Sequence, residues 1–122
     1  MMLVDDQAAM RNGLSTILSR DNRIKVIGEA SDGEEAITLA RKLQPDVILM
    51  DINMPKKNGI EATRIISSEL RQVGIIGLSM HEADDQVELM REAGAVAYQH
   101  KTGSSKELVK AIYRAANVVP VA

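Results

Sequence analysis

The sequence predicts an α/β domain built on a doubly wound, five-stranded parallel sheet, and three observations carry that prediction. Five short apolar runs are spread along the chain, segments with helical spacing of apolar residues separate them, and the conspicuous polar residues stand directly after the runs. Strict alternation of strand and helix implies parallel strands with right-handed crossovers and helices on both faces. In such a sheet a ligand binds beyond the carboxyl ends of the strands, where the strand order reverses.

The elements follow in order. The first strand is Met2–Val4, and Met10, Leu14, Ile17 and Leu18 mark one face of the first helix. Ile24–Ile27 reads as the second strand; Asp32 with Glu35 forms a capping box for a helix with Ala36, Ile37, Ala40 and Leu43 inward, and Pro45 stops it. Val47–Met50 is the third strand, followed by an Asn58-Gly59 turn and a helix with Ala62, Ile65, Ile66 and Leu70 inward. Ile75–Leu78 and Val96–Tyr98 are the last two strands. Val87, Met90 and Ala93 line the helix between them, while Leu108, Ala111, Ile112 and Ala115 line the last helix, capped by Ser104 with Glu107. The methionines at 50, 54, 80 and 90 read as aliphatic filling in a core without phenylalanine.

Composition bounds the function. A chain of 122 residues forms one domain, which buries roughly two-thirds of the surface its unfolded state exposes. No apolar run approaches the roughly 20 residues of a membrane span. The opening MMLVDD lacks a signal peptide's basic flank and apolar stretch, and there is no cysteine, so a cytoplasmic setting is expected. A net charge of −2 and only two aromatic residues argue against nucleic-acid binding by this domain.

The residues that follow the strands carry the chemistry. Asp5 and Asp6 follow the first, Asp51 and Asn53 the third, Ser79 the fourth and Lys101 the fifth. Close carboxylates repel unless a cation settles among them, and an oxygen-rich set without thiolates suits a hard ion such as Mg²⁺. A metal, an ammonium and a hydroxyl around one carboxylate would stabilise a phosphoryl group under attack by that carboxylate. Asp51, central by strand order, is the expected nucleophile. His81 and His100 have no partner at ligand spacing and read as surface or strand-edge residues.

These residues sit in motifs that resemble bacterial response-regulator receiver domains over nearly the full chain: LVDD at Leu3–Asp6, VILMDINMP at Val47–Pro55, NG at Asn58–Gly59, GLSM at Gly77–Met80 and EAGAVAYQHK at Glu92–Lys101. The resemblance implies a flavodoxin-like fold with strand order 2-1-3-4-5, residues 1–117 as receiver and 118–122 as a tail or linker stub. It implies that Asp51 accepts a phosphoryl group from a histidine kinase or phosphotransfer domain, and that Asp6, Asp51 and the Asn53 carbonyl hold Mg²⁺ with Asp5 beside them through water. Ser79 is similar to the family's switch hydroxyl, Tyr98 to its switch aromatic and Lys101 to its phosphate-pairing lysine. Gln99 and His100 depart from the aliphatic residues usual there, and Thr102 from the proline that often follows the lysine, so no isomer is predicted for the Lys101-Thr102 bond.

Two rival functions are weighed against this reading. An aspartyl-phosphate hydrolase would need a second carboxylate two residues after Asp51, where this chain has Asn53. A degenerate, non-phosphorylated binding module would typically have lost the acceptor or the lysine, and both are present. The expectation is therefore a phosphoacceptor signalling domain that assists its own phosphorylation and dephosphorylation rather than a substrate-turning enzyme. Receivers occur alone, joined to DNA-binding output domains or at the end of hybrid kinases, so a fused domain outside this chain is among the implied partners. The expected state is a monomer or weak dimer.

Overall fold

A computed structural model describes residues 1–52, 54, 58–79, 84–101 and 103–118, without the side chains of Asp84, Asp85, Asn117 and Val118. Strands β1 (Met2–Val4), β2 (Gly28–Ala30), β3 (Val47–Asp51), β4 (Gly74–Ser79) and β5 (Ala97–His100) alternate with helices α1 (Ala8–Leu18), α2 (Gly33–Leu43), α3 (Gly59–Glu69), α4 (Asp84–Ala93) and α5 (Ser105–Val118). The strands form one parallel sheet in the order β2-β1-β3-β4-β5. Among the described residues no helix is long and apolar enough to cross a membrane.

Most of each helical stripe meets the sheet as its spacing requires, while Ile17 of α1 and Val87 of α4 are half-buried and stand outside both core clusters. Leu14 and Leu18 of α1 and Leu108, Ala111, Ile112 and Ala115 of α5 pack with Leu3, Val47, Leu49, Ile76 and Leu78 on one face. Ala36, Ile37 and Ala40 of α2, Ala62 and Ile66 of α3 and Met90 of α4 pack with Met2, Val4, Ile48, Met50 and Ile75 on the other. Alternate residues of β3 thus feed opposite clusters, the signature of a strand covered on both sides. Met50, Met54 and Met90 are buried, as their role as core filling requires.

Capping follows local chemistry. Asp32 accepts the Glu35 N–H at 2.8 Å, and the Glu35 carboxylate accepts from Ser31 N–H at 3.1 Å, one residue ahead of the ordinary reciprocal bond. Ser104 accepts from the Lys106 and Glu107 N–H groups at 3.2 and 3.5 Å. Gln44, in a left-handed conformation with φ 46°, ends α2 ahead of Pro45.

Several boundaries differ from those the sequence predicts. The second strand is Gly28–Ala30, not Ile24–Ile27. Register decides this: Gly28, Glu29 and Ala30 stand opposite Met2, Leu3 and Val4, while the apolar run runs in ahead of them, with Ile24 buried and Val26 packed against the core cluster beneath α5. The last strand begins at Ala97 and runs through Gln99 and His100, because the pairing with β4 runs from Ile76–Ala97 to Ser79–His100. Asp51 and Ser79 are the final residues of their strands, not the first residues after them. Asn58 and Gly59 open a helix instead of forming a separate turn, since the Asn58 side chain accepts the Glu61 N–H at 2.9 Å. The helical assignment of α5 reaches Val118; residues 119–122 lie outside the described residues.

Candidate functional site

The carboxyl edge of the sheet gathers the residues that follow its strands. β1 and β3 are neighbours, so Asp5 and Asp51 leave adjacent strands on the same edge. β5 brings Lys101 to the same place: its N–H donates to the Ser79 carbonyl at 2.8 Å, which locks the ends of β4 and β5 together.

Asp5, Asp51 and Ser79 are buried, with Asp5 at 1% and Asp51 at 2% exposure. The Lys101 ammonium lies 2.7 Å from Asp5 Oδ2 and 3.1 Å from Asp51 Oδ1, and only 6% of its side chain is exposed. One cation therefore serves two buried carboxylates. Burial pushes the lysine pKa down, but hydrogen bonds and charge attraction from Asp5 and Asp51 outweigh it, and the net shift is above the ordinary lysine value.

Asp6 is exposed and completes an acidic group: carboxylate oxygens of Asp5, Asp6 and Asp51 all lie within 4.8 Å of one another. Three negative charges against one ammonium leave the pocket with a formal excess of two. An all-oxygen donor set with that excess, open on the Asp6 side, fits a divalent hard cation that keeps part of its water shell.

Asp5 is held on every side. Its N–H donates to the Ala30 carbonyl at 3.0 Å, its Oδ1 accepts from Gln7 N–H at 2.9 Å, and its carbonyl accepts from Arg11 at 2.5 Å. Tyr98, paired with Gly77 across the β4–β5 ladder, is half-buried and packs against the core. Its ring also borders a cavity of about 230 Å³ lined by Val87, Met90 and Arg91 of α4.

The structure thus brings Asp5, Asp6, Asp51 and Lys101 together and sets Ser79 at the neighbouring strand end. Asn53, Met80, His81 and Thr102 lie outside the described residues, and with them the expected carbonyl ligand and the Lys101-Thr102 bond. Sequence reasoning passed over Arg11. A signal was available: a cation in the first turns of a helix opposes the macrodipole, so its place there calls for a specific anion or carbonyl.

A doubly wound parallel sheet with a lysine-paired acidic pocket at its carboxyl edge is the arrangement that the resemblance to receiver domains implies. The chain belongs to the response regulator receiver domain family, whose description residues 1–113 match. It is 45% identical over 120 residues to the transcriptional regulatory protein LiaR of Bacillus subtilis, covering 98% of this chain and 57% of that one. Among solved structures it is similar to the response regulator domain of Thermotoga maritima CheB, with 39% identity, TM-score 0.85 and coverage of 98% and 96% of the two chains. It is also similar to the receiver domain of the response regulator NarL from Mycobacterium tuberculosis, with 31% identity, TM-score 0.89 and coverage of 95% and 94%. The chain spans about half the length of the curated relatives it matches, at 57%, 48% and 54% of their sequences.

Proposed function

We propose that this domain accepts a phosphoryl group on Asp51 from a histidine kinase or phosphotransfer domain and passes the change to a partner or a fused output domain. The observation that carries the reading is the buried Asp51 carboxylate 3.1 Å from Lys101, with Asp5 and Asp6 beside it. Transfer forms a bond between an Asp51 oxygen and phosphorus as the donor's bond to phosphorus breaks, and the donor leaves with the bonding pair. Lys101 would pair with a phosphoryl oxygen, and the Ser79 hydroxyl would donate to another. Asp6 and Asp51 would hold Mg²⁺ directly, with the Asn53 carbonyl, and Asp5 through water; when bound, the ion neutralises charge on the phosphoryl oxygens. The same groups would assist hydrolysis of the acyl phosphate, so self-dephosphorylation belongs to this proposal. So do a cytoplasmic setting, a receiver over residues 1–117 with 118–122 as linker, and a DNA-binding or kinase domain outside this chain. Relatives described as transcriptional regulators and about twice as long support that last part.

The test is intact-protein mass spectrometry after incubation with acetyl phosphate. One added phosphoryl group is expected in Mg²⁺ and none after chelation; a chain that gains nothing in Mg²⁺ overturns the reading.

The readout is assigned to the face formed by α4, β5 and α5, through Ser79 and Tyr98. Moving a population from 1:99 to 99:1 takes about 5.5 kcal/mol of differential binding. A hydrogen bond from Ser79 to a charged phosphoryl oxygen supplies roughly 1.5–3 kcal/mol, so the switch would also need Lys101 and the metal, or be incomplete. Closure of the Ser79 loop on the phosphoryl group would vacate space for the Tyr98 ring to enter. Beryllofluoride with Mg²⁺ will change Tyr98 emission in a Tyr113→Phe background, and Ser79→Ala will diminish the change. Phenylalanine is the right replacement because the Tyr113 ring is stacked by Arg23 at 4.8 Å. Fixed Tyr98 emission with Asp51 occupied would make Tyr98 plain core.

A further inference from the structure

Arg11 stands where electrostatics disfavours it. It is the fourth residue of α1, at the positive end of the helix, whose first turn carries no acidic residue and whose N-cap, Gln7, makes no side-chain cap bond. Yet its side chain is only 18% exposed and two of its guanidinium nitrogens are engaged. Nη1 donates to the Asp5 carbonyl at 2.5 Å, and Nε donates to Glu29 Oε1 at 3.0 Å. Glu29 lies on the edge strand β2, between Gly28 and Ala30, whose backbone is paired with β1.

The Asp5 carbonyl belongs to the same planar peptide unit as the Asp6 N–H. Fixing that oxygen therefore fixes the plane from which the Asp6 side chain departs. The Asp5 N–H is already tied to Ala30 and the Asp5 carboxylate to Gln7 and Lys101. Arg11 closes the remaining freedom, that of the Asp5-Asp6 peptide. Lysine could not do the same, because a single ammonium on a flexible stem lacks the rigid fork that reaches carbonyl and carboxylate together.

We infer that Arg11, braced by Glu29, is a positioning residue for the Asp6 carboxylate, and so sets the affinity of the acidic pocket for a divalent cation. This rests on the reading of Asp5, Asp6 and Asp51 as a Mg²⁺ site. Electrostatics alone and positioning predict opposite signs: deleting a nearby positive charge should tighten Mg²⁺ binding, whereas loosening Asp6 should weaken it.

The experiment is Mg²⁺ titration by calorimetry on the wild-type chain, Arg11→Met and Arg11→Lys, with circular dichroism to confirm folding. Loss of an outer partner of a metal ligand typically costs about 10- to 100-fold in affinity; Arg11→Met is expected at the lower end of that range, with Arg11→Lys weakened too although its charge is kept. Unchanged or tighter binding in folded Arg11→Met overturns the inference, and if that variant does not fold, wild-type affinity in Arg11→Lys overturns it. Amide hydrogen exchange without Mg²⁺ gives a readout independent of the metal: the Asp5 and Gln7 amides should exchange faster in either variant. A wild-type chain that binds no Mg²⁺ sinks the site reading instead, and unchanged exchange at those amides then sinks the role of Arg11 as well.

Discussion

Asp51→Asn will abolish phosphoryl uptake without harming the fold, whereas Lys101→Met will keep the acceptor and lose much of the stability. The two substitutions act on opposite ends of one ion pair, 3.1 Å apart, yet their consequences differ in sign because the pocket is not balanced. Asp5 and Asp51 are both buried and share one ammonium, at 2.7 and 3.1 Å. Asparagine has the shape of aspartate, but its neutral amide cannot attack phosphorus. It also removes one of two mutually repelling buried charges and leaves a simple Asp5–Lys101 pair. The melting temperature of Asp51→Asn should therefore be unchanged or higher.

Removing Lys101 leaves two carboxylates buried with no lysine between them. Breaking a buried pair by deleting one partner typically costs about 3–5 kcal/mol. Mg²⁺ should then stabilise Lys101→Met more than it stabilises the wild type, because the ion becomes the counter-charge the lysine was. Thermal melts with and without Mg²⁺, run beside mass spectrometry after acetyl phosphate, read both effects. Phosphoryl uptake that survives in Asp51→Asn would move the acceptor to another residue. Equal melting temperatures for Lys101→Met and wild type would mean that the pair contributes no stability.

The gathering of the candidate site's residues was legible in the sequence because each of them ends or follows an apolar run, and a parallel sheet sends all such residues to one edge. The same logic that gave the sheet gave Asp5, Asp51, Ser79 and Lys101. The edge strand was less legible. β2 needs only Ala30 fully buried, so its Gly-Glu-Ala carries little hydrophobic signal, while the stronger run ahead of it sends Ile24 and Val26 to the cluster beneath α5 and is tied to Met1 by backbone bonds, from Ile27 N–H at 2.9 Å and to the Lys25 carbonyl at 2.7 Å. β5 was read short because Gln99 and His100 are half-buried strand residues whose polarity hides their backbone pairing. Arg11 escaped because its partners are a carbonyl and a carboxylate 18 positions away, neither of which leaves a periodic trace. Gly59 escaped for a related reason: Asn-Gly is a strong turn signal, and what makes this glycine necessary is a backbone that arrives from another element.

Two glycine-to-alanine substitutions will shift stability in opposite directions, and one of them will reach the site. At Gly59 a Cβ would stand 2.1 Å from the Asp51 carbonyl oxygen and 2.9 Å from both the Asp51 carbonyl carbon and Ile52 Cα. All three are backbone atoms, so no side-chain rotation relieves the clash; α3 or the end of β3 must move. The Gly59 N–H also donates to the Ile52 carbonyl at 2.9 Å, so the bond that seats the start of α3 on the end of β3 would be strained together with the Asn58 cap on Glu61 N–H beside it. Overpacking of this kind typically costs 1–3 kcal/mol, and the rigidity of the neighbours here puts Gly59→Ala at about 3 kcal/mol or more. Because two of the three displaced atoms belong to Asp51 itself, Mg²⁺ affinity and phosphoryl uptake should fall even in the fraction that stays folded. Gly13, midway along α1, is the counterpart: a Cβ there meets nothing within 4 Å. An alanine at Gly13 should stabilise the domain by about 0.5–1 kcal/mol, the usual gain over glycine in a helix interior. Urea unfolding of the two variants, followed by Mg²⁺ titration of each, tests the contrast. A Gly59→Ala protein as stable as wild type, or one with normal Mg²⁺ affinity, would show that the α3–β3 junction yields without disturbing Asp51.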